Sequence, residues 1–265
     1  MTMIRKTHPL YDVFKFLHPA VSDDEPKRFM TGVLYETGQD VDGNGSKDFC
    51  RFVATDGFRL HKVEFEAGEE FDDLTPGSIY PLTKNHGSKG PAPERSAWMF
   101  GTEIDAQFPE WRKVMVEPSD TLNPFDTQIP AKYSEFGAKY AEYITNTIRA
   151  TGGQPLPCNI QYMLDLGAGD WTTWADLERG GILFRRATSG VEFEAVIMGM
   201  RKDNKEPVML DNTLDSGLDK TPDKEPAWKP EVVINLTEVD GAEELAGYLE
   251  ELGGDLEITQ DAEAS

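Results

Sequence analysis

Oxygen-bearing side chains at regular spacing are the first residues in this chain that could do chemistry. Asp40, Asp42, Asn44, Gly45 and Asp48 match positions 1, 3, 5, 6 and 9 of a twelve-residue calcium loop, and Ser46 adds a hydroxyl between them. Hard oxygen donors on alternate residues suit a hard cation. Position 12, where a bidentate Glu normally closes the shell, is Arg51, and β-prone rather than helical runs flank the segment. Asp, Asn and Gly are also the residues that an exposed hairpin tip favours. The expected reading is a polar hairpin tip without metal; a calcium-stabilised β-domain is the alternative.

Other chemistry finds little to build on. The chain holds no Gly-rich phosphate loop, HExxH, GxSxG or paired-cysteine motif, and its four histidines, His8, His18, His61 and His86, are scattered. Cys50 and Cys158 lie in apolar surroundings without CxxC spacing, so buried thiols are expected rather than a disulfide or a zinc site. Neither an enzyme nor a cofactor is expected.

The most organised stretch is Arg51 to Lys62, RFVATDGFRLHK. Phe52, Val53 and Ala54 form an apolar, β-prone run, Thr55-Asp56-Gly57 interrupts it, and Phe58, Leu60 and Val63 resume in alternation. This describes two strands and a sharp turn. Gly57 supplies the positive φ such a turn needs, and Asp56 can accept from the backbone just ahead of it.

The elements around this turn follow from periodicity. Leu10, Val13, Phe14 and Leu17 sit at helical spacing within residues 8 to 21, with Pro9 near the start and Pro19 at the end. A strand is expected over Phe29 to Glu36, then the polar tip from Thr37 to Asp48, then short strands at Ser78 to Leu82 and Trp98 to Ile104. Asn85 to Glu94 carries Gly87, Gly90, Pro91 and Pro93, which resist a helix. After a linker, Glu117 to Asp126, Ala131 to Ala150 is the clearest helix, with Tyr133, Phe136, Tyr140, Ile144 and Ile148 in one stripe. Cys158 to Leu166, Thr172 to Leu177, Gly181 to Arg186 and Val191 to Met200 read as successive strands. The expected division is a domain over 1–116, an abbreviated one over 117–202, a Pro-rich charged linker over 203–230, and a small acidic strand-helix-strand appendage over 231–265.

At 265 residues and 38% hydrophobic content the chain is large enough for one or two cores. No run approaches the ~18 apolar residues of a membrane span, and MTMIRKTHPL lacks the apolar centre of a signal peptide, so a cytoplasmic protein is expected. The net charge of -22 weighs against nucleic acid. Its placement weakens the objection: residues 203–265 carry 18 acids against 4 bases, leaving 30 acids against 22 bases for residues 1–202.

Four segments, in order along the chain, resemble the bacterial sliding clamps, the β subunit of DNA polymerase III. Ala54-Thr55-Asp56-Gly57-Phe58-Arg59-Leu60 is similar to that family's ATDGHRL. Arg28 to Glu36, RFMTGVLYE, resembles its strand of Arg and aromatics running into Gly-Val-Leu. Phe108 to Val114, FPEWRKV, resembles its Phe-Pro-Asp-Tyr-Arg-Arg-Val linker, and Val196 to Arg201, VIMGMR, its C-terminal Val-Val-Met-Pro-Met-Arg.

The resemblance implies an α+β DNA-clamp fold, with antiparallel sheets outside and helices on the inner face, here abbreviated to about two domains plus the appendage. It implies a non-enzymatic processivity factor on duplex DNA, held by topology and sequence-independent phosphate contacts. It also implies a pocket that grips Leu- and Phe-bearing peptide motifs of the polymerase and the clamp loader. Carried over position by position, the pocket comprises Met30, Thr55, Gly57, Phe58, Arg59, Leu60, Pro109, Lys113, Val114, Val196, Met198, Gly199, Met200 and Arg201, a greasy groove with cationic edges. Lys15, Lys132, Lys139, Asn146 and Arg149 would face DNA. The family closes a six-domain ring from two three-domain protomers, so a two-domain chain needs three copies. Three departures stand against the pattern. Phe58 replaces a His, Gly199 replaces a Pro and would loosen the backbone, and residues 85–94 lack the family's helix. The rival reading is a monomeric adaptor or decoy that keeps the pocket and has lost the ring.

Overall fold

The computed structural model describes residues 3–42, 45–86, 96–118, 122–132 and 135–200, together with two short strands at Val232–Asn235 and Leu256–Thr259; at 25, 40–42, 45–47, 86 and in those two strands it describes the backbone alone. Thirteen strands and three α-helices run in the order β1 (Met3–Arg5), α1 (Tyr11–Leu17), β2 (Val33–Asp42), β3 (Gly45–Thr55), β4 (Arg59–Glu66), β5 (Ile79–Tyr80), β6 (Leu82–His86), β7 (Ser96–Phe100), β8 (Phe125–Ile129), α2 (Phe136–Ala150), α3 (Ile160–Asp165), β9 (Gly169–Asp176), β10 (Gly181–Thr188), β11 (Val191–Met198), β12 (Val232–Asn235) and β13 (Leu256–Thr259) among the described residues.

An eight-stranded antiparallel sheet, ordered β5-β2-β3-β4-β11-β10-β9-β8, dominates the structure. Its central seam is β4 against β11, with Leu60 opposite Val196 and Arg59 opposite Ile197. That pairing joins the portion before residue 117 to the portion after it, edge to edge. A three-stranded sheet, β1-β7-β6, packs beside it, and β12 pairs with β13 in parallel.

Strand alternation gives the large sheet two different faces. Val33, Tyr35, Phe52, Ala54, Val63, Trp171, Ile182, Phe184, Phe193, Ala195 and Ile197 point to one side, where they share a single apolar cluster with Phe14, Phe16 and Leu17 of α1 and Phe136, Tyr140 and Ile144 of α2. Both helices therefore cover the same face. Leu34, Val53 and Leu60 point the other way and meet Phe108 and Trp111, while Leu183 and Val196 meet Val116. No α-helix covers this second face among the described residues. A strap of irregular chain, Phe108 to Val116, crosses it instead.

Several elements differ from their sequence expectation. Phe29 and Met30 belong to a 3-10 turn over Glu25–Met30, and β2 begins only at Val33, because Pro26 favours the helical first turn and Gly32 lies too close to Tyr80 for any Cβ. The expected polar tip is mostly strand: β2 and β3 stay paired to Asp42 opposite Gly45. Cys158 to Leu166 is a single bridge at Cys158 followed by helix α3, nucleated by Asn159, whose side chain accepts from Gln161 N. Residues 117–126 include the start of β8, an edge strand in which Phe125, Thr127 and Ile129 alternate with exposed Asp126 and Gln128, a pattern the linker reading passed over. Helix α2 starts at Phe136 rather than Ala131 and stops where Gly152 and Gly153 take φ of 73° and 112°. Tyr133, most of the 85–94 stretch, the 203–230 linker and the helix expected between β12 and β13 lie outside the described residues.

Candidate peptide-binding seam

The ATDG turn is locked by its own side chains. Asp56 Oδ1 accepts from Phe58 N at 2.9 Å and Arg59 N at 3.0 Å, Thr55 Oγ1 accepts from Gly57 N at 3.1 Å and donates to Arg59 O at 2.7 Å, and Gly57 sits at φ 95°. A Cβ on Gly57 would stand 3.9 Å from Met30 Cε, which places Met30 under the turn. Phe58 O accepts from Met198 N at 3.0 Å, so the turn runs directly into the end of β11.

The strap reaches the same seam from outside. Val114 and Met115 pack on the cluster that contains Leu60, and Met115 also joins Val116 against Leu183 and Val196. The motif segments at Met30, 54–60, 108–114 and 196–198 therefore meet around β4 and β11, and Met200, past the end of β11, donates its N–H to Pro157 O at 2.7 Å. Most of their side chains are spent on packing: Met30, Thr55, Gly57, Leu60, Pro109, Val196 and Met198 are buried. Phe58, Val114 and Met200 are half-buried and Lys113 is exposed, so these four offer contact surface. Arg201 is outside the described residues.

Two expectations about this seam are corrected. Arg59 is not a rim cation. Its guanidinium bonds to Asp56 Oδ2 at 3.0 Å, to Asp165 and to the carbonyl of Pro19, and lies 4.2 Å from the Tyr162 ring centroid. It braces the turn against α3 and the end of α1. The same burial pushes the Tyr162 phenol up to about 12. Nor does Gly199 loosen the backbone: its N–H donates to Gly180 O at 2.8 Å, a bond Pro could not make, and a Cβ there would meet Leu156 Cδ1 at 2.5 Å. No sequence signal pointed to Asp165 or Pro19 as partners of Arg59.

Beyond the seam, the strap face carries charge in cross-strand rows. Glu194, with its side chain only 2% exposed, lies between Lys62 on β4 and Arg185 on β10, the latter donating from Nε at 2.6 Å. Arg51 donates to Glu64 from Nε at 2.9 Å and from Nη2 at 2.5 Å, and its Nη1 lies 3.4 Å from Glu36, which also takes Arg112 of the strap at 2.9 Å. On the helix face His61 is among the fully buried polar groups. Its Nδ1 donates to Phe16 O at 2.6 Å, its ring stacks on Phe16 at 4.5 Å, and full burial, with Arg59 nearby, lowers its pKa to about 3. His61 is therefore neutral, which leaves Nε2 as an acceptor without a partner.

Of the residues expected to face DNA, Lys15 lies on the outer side of α1 and has no ion pair among the described residues. On α2 and just before it, Lys132 and Lys139 pair with Glu135 at 3.6 Å and Glu142 at 2.8 Å, and Asn146 Nδ2 donates to Asp126 O at 3.3 Å. Arg149 is exposed. The backbone through Asp40, Asp42, Ser46 and Asp48 is a paired ladder, with Asp40 opposite Lys47; the side chains at 40–42 and 45–47, on which the calcium alternative rests, lie outside the described residues. Asn44 falls outside the described residues, and among those described no cluster of three or more His, Cys, Asp or Glu could hold a metal. No described helix is long and apolar enough to cross a membrane.

The fold is α+β, built of antiparallel sheets with helices on one face of the larger. Solved structures similar to it are bacterial sliding clamps: that of Caulobacter crescentus (16% identity, TM-score 0.44, 76% of this chain and 65% of that one), that of Bartonella birtlesii bound to griselimycin (16%, TM-score 0.48, 76% and 66%), and the DNA polymerase III β chain of Streptococcus pneumoniae (13%, TM-score 0.44, 75% and 64%). This chain spans just under two thirds of their length. No protein-family profile and no curated protein matches the sequence.

Proposed function

We propose that this chain is a sliding-clamp-like processivity factor, which holds replication proteins on duplex DNA and receives their short peptide motifs at the β4–β11 seam. The observation that carries this reading is the convergence at one seam of segments the sequence resemblance had singled out separately, with Phe58 O bonded to Met198 N and Val114 packed on the Leu60 cluster. Peptide contact falls to the half-buried Phe58, Val114 and Met200 and the exposed Lys113. Burying a Leu or Phe anchor there supplies ~1.5 to 3 kcal/mol each. Arg59 acts behind them as a brace. Ring closure rests on head-to-tail contacts between sheet edges of three copies, each contributing the portions 1–116 and 117–202. The chain does no chemistry of its own; duplex DNA is held through phosphates.

The rival reading, a monomeric adaptor that keeps the seam and ignores DNA, draws support from the pairing of Lys139 on α2 and Lys132 ahead of it with glutamates, which offsets both charges. One set of measurements separates the two. A fluorescent Gln-Leu-x-Leu-Phe peptide should bind wild type, and Phe58→Ser with Met200→Ala should abolish binding. A three-protomer mass in light scattering, with retention on nicked circular DNA and loss after linearisation, supports the clamp. A monomer that binds peptide and passes over DNA supports the adaptor.

A further inference from the structure

A cavity of about 600 Å³ opens on the strap face, beside the seam and across Trp111 from it, between β2 and residues 105–112. Leu34, Glu36, Gly77, Phe108, Trp111 and Arg112 are among its walls. The strap supplies one side and the outward row of β2 the floor. Trp111 is 6% exposed, and its indole Nε1–H is buried with no partner in the structure. A buried donor left unpaired costs ~1–3 kcal/mol; the nitrogen is closed to solvent, so a guest acceptor recovers that cost only by shifting the indole as it enters.

The cavity sits where a neighbouring strand runs out. β5 pairs with β2 only at Val33 and Leu34, Ser78 O and Gly77 N then close on Tyr35, and the chain turns away. Backbone groups of a strand point to alternate sides, so Thr37 and Gln39 present N–H and C=O in the same direction as Tyr35. Both residues are exposed, and no strand lies beyond them on that side among the described residues. An unpaired edge beside a cavity is the geometry of strand addition, in which main-chain bonds hold a peptide and pockets take its alternate side chains. The walls also carry Asp105 and Glu110; Glu36 is shared by Arg51 and Arg112 and Glu110 pairs with Lys113 at 3.4 Å, which leaves Asp105 as the wall carboxylate without an ion pair among the described residues. Cationic side chains on the guest are favoured.

We propose that this edge and cavity form a second peptide site, distinct from the seam. It takes an extended segment that adds to β2 beyond Tyr35, lowers one large apolar side chain between Leu34, Phe108 and Trp111, and carries Lys or Arg on either side. The site does not depend on the processivity reading.

The test uses the full chain and fluorescein-labelled Lys-Thr-Lys-Thr-Phe-Thr-Lys-Thr-Lys, with Leu and Trp versions at the centre and a Ser version as control, followed by anisotropy. At least one apolar-centred peptide should bind tenfold or more tighter than the Ser control. Thr37→Pro removes only an outward N–H and leaves the β3 ladder intact, and Ala106→Trp fills the cavity from an exposed position; each should weaken binding at least tenfold. Trp111→Phe, which keeps the ring and removes the donor, should weaken it several-fold. Phe58→Ser should leave it unchanged. Absence of binding for all three peptides at millimolar concentration overturns the proposal, as does binding indifferent to Thr37→Pro and Ala106→Trp. A fall in protomer number caused by Thr37→Pro also overturns it and gives the edge to a second copy of the chain. Loss of the Gln-Leu-x-Leu-Phe interaction alone would count against the seam and not against this site.

Discussion

The two faces of the eight-stranded sheet are built on opposite principles. The helix face is one continuous apolar cluster, where Phe52 alone touches the rings of Phe14, Tyr35, Phe65, Phe71 and Phe100; His61 is buried there neutral, and the ion pairs of Arg59 are confined to the end of the seam. The strap face breaks its apolar surface into two small clusters and fills the rest with ionic rows. A face covered by regular helices can be packed with side chains of fixed register. A face covered by a strap cannot, and charged pairs that satisfy one another across strands take up the remainder. The difference teaches where function belongs. The helix face is spent on packing, while the strap face keeps the half-buried residues and the cavity for which we propose partners.

Truncating the helix face should cost most. Phe52→Ala leaves a cavity ringed by aromatics and should destabilise by ~3–5 kcal/mol in urea unfolding, whereas Leu60→Ala on the strap face should fall near the low end of the ~2–5 kcal/mol range for such truncations. Equal losses would erase the distinction.

Next comes Glu194. Glu194→Ala strands Lys62, while Arg185 keeps Glu192 at 3.6 Å, and should cost ~3 kcal/mol; replacing Glu194, Lys62 and Arg185 together by Met, Leu and Met should be neutral or stabilising. A triple variant as damaged as the single one would mean the ionic row does more than satisfy itself.

The pH response should report the helix face. His61 is held neutral with a pKa of about 3, below its ordinary 6.5. Under pH 6.5 the unfolded chain takes up a proton the folded chain refuses, so stability is full above 6.5 and falls as pH drops towards 3, by up to ~1.4 kcal/mol per unit. His61→Gln should flatten that slope by one proton between pH 6 and 4, read from urea midpoints. An unchanged slope would show that His61 charges in the folded state. The smallest effect is expected at the rim: Arg112, 62% exposed, pairs with Glu36, and Arg112→Ala should cost no more than ~0.5 kcal/mol.

How much was legible follows from how local each feature is. The ATDG turn could be read from Thr55, Asp56 and Gly57, because the bonds that lock it span no more than four residues. Helix α2 was visible in its 3.6-residue stripe. Helix α3 was not, since Ile160 to Leu164 is an apolar run too short to distinguish helix from strand, and the Asn159 cap decided it. The seam was named from resemblance, yet which of its side chains stay accessible was not legible. Arg59 was assigned to the rim because its partner Asp165 lies 106 residues away in sequence.

By itself the sequence determined the turn at Gly57, the amphipathic helices α1 and α2, most of the alternating strands and the α+β class, all of which depend on backbone preferences and side-chain periods acting over a few residues. Only the tertiary structure decided that β4 meets β11, that both helices share one face, that Arg59 turns inward, and that an unpaired stretch of β2 lies beside a cavity. Those facts depend on which distant surfaces exclude water together, and no local pattern encodes that choice.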